Sequence, residues 1–138
     1  MDRINHYVEG RGLEWTLACS MLLLSIEVLG WPATLNAQVF TLVLILVNTH
    51  FVGVLLLVLG WIKFSGLMLN GYVVSGIQIG PWIRAVSSVL SSVMWGQFTL
   101  SLLKIMIERG RPSVIMPFFF MFTIGELYIA YTTVKNAR

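Results

Sequence analysis

Three ionisable residues, Glu27, Lys63 and Glu126, fall inside stretches of the chain that are otherwise apolar. Placing one such charge at the centre of a membrane helix costs about 2.5–3.5 kcal/mol on insertion scales, so a chain keeps it for a reason. The reasons open to it are an ion pair, a path for protons or ions, or a long stem that carries the charge to the headgroups. Lys63 interrupts the run "HFVGVLLLVLGWIKFSGLMLNG", residues 50–71. At 1.5 Å per helical residue it lies about 10 Å from Asn70, and Glu126 about 12 Å from Val134. These matched depths allow an ion pair between Lys63 and Glu126. They equally allow Lys63 to snorkel, leaving Glu126 protonated or bonded to a hydroxyl such as that of Thr123, and they allow a transport site. Glu27 is about 18 Å into its own run, level with Trp95 and Gln97. An indole N–H or an amide there could hydrogen-bond the carboxyl group; otherwise Glu27 is a protonatable group that couples proton or cation movement.

A second pattern is "VSSVLSSVMWGQ", in which Ser88, Ser92 and Gly96 repeat every four residues and Ser87 and Ser91 repeat one step over. Small residues at this spacing let two helix backbones approach closely, with hydroxyls bonding across the seam. The partner is either another helix of the chain or a second copy, and in the second case the face could line a pore. Gly53 and Gly60, seven residues apart, form a weaker groove of the same kind. Enzyme chemistry is not expected. The sequence carries no Ser-His-Asp set, no phosphate-binding loop and no dinucleotide fingerprint. His50 has no second His, Cys pair or Asp nearby, so neither a metal nor another cofactor is expected. The single cysteine, Cys19, reads as a small lipid- or core-facing residue.

The elements that must position these residues follow from composition. Of 138 residues, 57% are hydrophobic and 11% charged, and mean hydropathy is +0.85. Ordinary soluble domains carry roughly 25% charged residues, so an integral membrane protein is expected. The segment "MDRINHYVEGRGLEW" is polar and lacks the features of a signal peptide. Helical spans of about 20 apolar residues are expected at about 15–31, 51–69, 82–105 and 114–134, in one domain covering 1–138. The fold expected is all-α: a four-helix membrane bundle with a short amphipathic N-terminal segment and a short interfacial helix between the first two spans. That helix is placed at about 38–48; the rival is one long tilted second helix. Residues 72–80, "YVVSGIQIG", read as a loop with some β character, or as an interfacial segment. Arg3, Arg11, Lys63, Arg84, Lys135 and Arg138 fall on one side, against Lys104, Arg109 and Arg111 on the other, so both termini are expected in the cytoplasm. The net charge of +3 is scattered and does not point to nucleic-acid binding.

The order of signposts carries a resemblance. It runs "GLEW" before the first span, Lys63 and Asn70-Gly71 late in the second, "PWIRA" opening the third, Trp95 within it, Pro112-Ser113 before the fourth, and Glu126 inside that. This order resembles a group of small four-span membrane proteins encoded by tailed bacteriophages, a hypothetical or holin-like group, over nearly the whole chain. The resemblance implies a phage product in a bacterial host inner membrane, with carriage in the virion as one alternative, and places Lys63 and Glu126 in one pattern. The expected function is oligomerisation through the third span and permeabilisation of that membrane, for lysis or for genome delivery. The expected partners are the lipid bilayer, further copies of the chain, and a possible phage or host membrane protein. The rivals are a non-pore interaction protein, such as a superinfection-exclusion factor, and a compact ion-coupled transporter.

Overall fold

A computed structural model of the chain describes residues 11–31, 49–69, 73–74, 77–110 and 112–136. Each apolar run becomes a helix, since a helix satisfies its backbone N–H and C=O groups internally. α1 is Gly12–Gly30, α2 Thr49–Met68, α3 Ile79–Arg109 and α4 Met116–Asn136. All four are long and apolar enough to cross a membrane. The expected N-terminal segment and the expected helix at 38–48 lie outside the described residues.

Between α2 and α3 the chain makes a minimal antiparallel ladder, β1 (Val73–Val74) with β2 (Ile77–Gln78), in the register Val73↔Gln78 and Val74↔Ile77. The β character read in 72–80 is therefore real, but that segment already enters α3 at Ile79. Pro81 is the third residue of α3, where the backbone N–H it lacks would have had no intrahelical partner.

The C-terminal end of α3 lies four residues beyond the expected 105. At 31 residues the helix is about 46 Å long, against a lipid core of about 30 Å. It stops at Gly110, whose φ of 62° is the left-handed conformation that glycine adopts without a Cβ clash. The Gly110 N–H bonds the Met106 carbonyl at 2.9 Å, closing the cap. Lys104, Ile107, Glu108 and Arg109 are all exposed in this last stretch.

α3 packs most extensively on α4, and α1 on α2; the two hairpins meet mainly along α2 and α3, and lightly along α1 and α4. The helices thus form a ring in which α1 and α3 are one diagonal and α2 and α4 the other. Glycines on α2 set the tightest approaches. A Cβ on Gly60 would lie 2.7 Å from Leu22 of α1, and one on Gly53 would lie 2.8 Å from Leu29. The core gathers Met21, Val28, Val52, Leu56, Leu59, Met94, Trp95 and Phe98. Large apolar side chains such as Leu23, Ile26, Phe120 and Tyr131 point outward, the reverse of a water-soluble bundle.

Candidate functional site

Helix direction alternates through the ring, so α1 and α3 begin at the end where α2 and α4 finish. Lys63, five residues from the end of α2, and Glu126, ten from the end of α4, therefore share one half of the bundle. The structure brings them together: Lys63 Nζ donates to Glu126 Oε1 across the α2–α4 diagonal. Lys63 is 4% exposed and Glu126 0%. The ammonium is turned inward rather than snorkelling outward. Thr123 donates to the Phe119 carbonyl of its own helix at 2.9 Å and not to Glu126.

A second ion pair spans the other diagonal. Arg84 Nε donates to Glu14 Oε2 at 2.7 Å, and Arg84 Nη2 donates to Glu14 Oε1. This is the two-pronged geometry in which a guanidinium binds a carboxylate best. Sequence reasoning missed it, counting Arg84 only toward loop charge and Glu14 as part of a polar lead-in. A signal was present: both residues lie near the starts of helices that begin on the same side. Lys63 also feels the Glu14 carboxylate, so the four charges form one alternating cluster. A cavity with room for about one water lies among them, lined by Glu14, Lys63, Leu67, Arg84, Ser87 and Ser88.

Past Glu126 the interior changes character. The Ser88 hydroxyl and the Trp95 indole face the Glu126 carboxyl, yet Glu126 Oε2 and Trp95 Nε1 are both buried without a hydrogen-bond partner. Trp95 then opens an aromatic cluster: it stacks on Phe119 with centroids 5.4 Å apart and meets Phe122 edge-on at 5.1 Å and Phe98 at 5.9 Å.

Glu27 is not part of this interior. α1 starts at Gly12 and ends at Gly30, so Glu27 falls in its last turn, where it is exposed. No hydrogen bond joins it to Trp95 or to Gln97, which is half-buried on α3. The expected Glu27–Trp95–Gln97 contact is replaced by one in which the indole faces Glu126. A carboxylate one turn from a helix end reaches the polar surroundings of that end at little cost, so nothing drives it inward.

The serine face is buried inside one chain. Ser87, Ser88, Ser91 and Ser92 are all at most 6% exposed, and Gly96 is half-buried. Ser91 reaches across to Met21 Sδ of α1 at 3.5 Å. Ser87 and Ser92 bond the carbonyls of Arg84 and Val89 on their own helix instead of bonding across a seam. A Cβ on Gly96 would make only an ordinary 3.8 Å contact with Thr123. The face expected to carry self-association is thus covered by the chain's own helices: Met21 of α1 reaches Ser91 across the diagonal, and the Glu126 region of α4 packs against the serines.

Among the described residues no group of three or more His, Cys, Asp or Glu side chains could hold a metal ion. Cys19 is exposed on α1. Chemically, the arrangement offers one buried and one part-buried ion pair, hydroxyl groups and a one-water cavity. Comparison of the chain with protein-family models, with curated proteins and with solved structures finds no match.

Proposed function

We propose that the chain is an integral membrane protein of the tailed-phage type that permeabilises a bacterial inner membrane, and that the closed bundle is its resting form. One observation carries this reading: the polar surface of α3 is gathered inside while the exterior is apolar. Ser87, Ser88, Ser91, Ser92, Thr99 and Ser101 are all buried. Among the described residues they form a buried polar stripe along α3 that can border a water path. In the resting form, α1, α2 and α4 shield that stripe from lipid. Permeabilisation then requires several copies to open their bundles and turn α3 toward a shared lumen, with both termini on the cytoplasmic side. Carriage in the virion for genome delivery, or accumulation in the host membrane for lysis, are two settings for the same event.

Timed expression in bacteria, followed with a potential-sensitive dye, tests the reading. Membrane potential is expected to collapse after a lag. A cysteine pair placed where Gly60 meets Leu22, in a chain whose Cys19 is replaced by Ala, is expected to hold the potential when oxidised and to release it on reduction. Full potential and growth at high membrane abundance overturn the permeabilising reading. Leakage from the oxidised pair overturns the opening step alone.

A second reading draws on the far end of α3. Ile107, Val114 and Ile115 are exposed at the tip of the α3–α4 hairpin, beside Lys104 and Glu108. An aliphatic tip of this kind suits a non-pore protein that grips another phage or host membrane protein. Recovery of one defined partner, lost on changing Ile107 and Val114 to Ser, with no loss of potential, would favour it.

A further inference from the structure

The interior is charged and polar from one end of the bundle to its middle, and directly beyond Glu126 it is dominated by aromatic rings, with the buried hydroxyls of Thr99 and Ser101 farther along α3. From the end where α1 and α3 begin, the order is Arg84–Glu14, then the one-water cavity, then Lys63, then Glu126. Beyond Glu126 stand Trp95, Phe98, Phe119 and Phe122, with Phe98 fully buried and Trp95 1% exposed. Glu126 keeps one oxygen, Oε2, with no hydrogen-bond partner, although the residue is completely buried. A buried polar atom left this way calls for a water or a proton.

We infer that Glu126 is a proton-exchange site reached from one side of the bilayer only, the side on which α1 and α3 begin. The inference rests on the membrane placement proposed above and not on permeabilisation. A proton moves through the cavity between the two ion pairs and, by way of the Ser88 hydroxyl that lines it, adds to Oε2, converting the carboxylate to a neutral acid. Ser88 Oγ, which faces this carboxyl, can donate to the anion and accept from the acid, so it serves both states. Trp95 Nε1 is a donor alone, so it favours the anion while still able to donate to the carbonyl oxygen of the acid. The Lys63 ammonium, having lost its ionised partner, keeps the Glu14 carboxylate as its neighbour. The cluster gains one positive charge and no bond to carbon changes. Each helix contributes a group facing the exchange: Glu14 from α1, Lys63 from α2, Arg84, Ser88 and Trp95 from α3, and Glu126 from α4. On the far side the rings of Trp95, Phe98, Phe119 and Phe122 stand directly beyond Glu126, and the next buried hydroxyls, Thr99 and Ser101, lie four and six residues past Trp95, with Thr99 already donating to the Trp95 carbonyl.

The test uses the full chain in lipid vesicles, with one orientation selected by protease removal of a terminal tag. Resistance to alkaline extraction establishes insertion first; its failure defeats the membrane placement and is separate from the proton result. Infrared difference spectra are then recorded while the pH of one face is changed. A protonated-carboxyl band is expected to appear on acidifying the face of Glu14 and Arg84, and to stay absent when only the opposite face is acidified. The band is expected to vanish in Glu126→Gln. Should that variant not fold, the charge-free double change Lys63→Met with Glu126→Gln supplies the assignment. Filling the cavity with Ser87→Leu is expected to slow the appearance of the band at least ten-fold while keeping its position. A band that answers both faces equally, one that never changes with pH, or the absence of any Glu126-dependent band overturns the inference.

Discussion

The two halves of the interior are held together by different physics. In the half that contains the starts of α1 and α3, two ion pairs cross on opposite diagonals, joining helices that do not lie side by side. In the other half, Trp95, Phe98, Phe119 and Phe122 tie α3 to its neighbour α4 by ring contacts. In the membrane placement proposed above, the difference matters. Apolar burial between membrane helices gains little transfer energy, because lipid tails are as apolar as the rings, and only packing is left. An unpaired charge, in contrast, has no good alternative in hydrocarbon. The charged half should therefore tolerate the loss of one partner least, and the aromatic half should yield gradually.

The largest effect expected is from Lys63→Met. Stranding Glu126 should cost about 3–5 kcal/mol, the range for breaking a buried pair by removing one partner. Adding Glu126→Gln should restore much of the loss. Thermal unfolding in nanodiscs, read as a double-mutant cycle, measures both steps. If Lys63→Met is harmless, the diagonal pair carries no stability and the contrast between the halves fails.

Next is Phe98→Ala in the aromatic half. Truncating a buried Phe costs about 3–5 kcal/mol in soluble cores, of which part is transfer from water. In lipid the cavity term dominates, so roughly 2 kcal/mol is expected in the same assay. A loss equal to that of Lys63→Met would show that rings bind these helices as firmly as charges do.

Smaller again is Gly60→Ala. Its new methyl would sit 2.7 Å from Leu22 and must push that side chain aside, for about 1–2 kcal/mol by the cost of overpacking. Gly96→Ala is the control: its methyl meets only Thr123 at 3.8 Å, and a change within about 0.5 kcal/mol is expected. Together the two changes locate the close helix seam between α1 and α2 and not at the end of the serine repeat.

The smallest effect is expected from Glu108→Gln. The Lys104–Glu108 contact is 3.8 Å long and exposed on both partners, and such pairs contribute about 0.3–0.5 kcal/mol. Glu27→Gln should be equally mild, because that carboxylate is exposed in the last turn of α1. A large loss from Glu27→Gln would restore it to the interior and break the division described above.

Four helices of membrane-spanning length were legible because 57% apolar composition in four long runs leaves the backbone few other ways to satisfy itself. The nearness of Lys63 and Glu126 could be read as one of several options, since rise per residue fixes depth along a helix. Depth does not fix azimuth. Whether Lys63 faced inward or toward lipid depended on how α2 rotates, which its glycines at 53, 60 and 66 decide by where α1 and α3 can approach. The same freedom misled the reading of Glu27. Its depth alone matched Trp95, but its side of α1 and the true end of that helix placed it outside.

By itself, then, the sequence determined the helical class, the number of long apolar helices and the levels of the charges, because hydropathy and rise per residue are local quantities. Only the tertiary structure decided that α1 faces α3 and α2 faces α4 across the ring. That arrangement selects Glu14 for Arg84, turns Lys63 onto Glu126 and covers the serines with the chain's own helices. Rotation of each helix about its axis is set by contacts between residues distant in sequence, such as Glu14 with Arg84 and Leu17 with Gly125, and no local pattern encodes it.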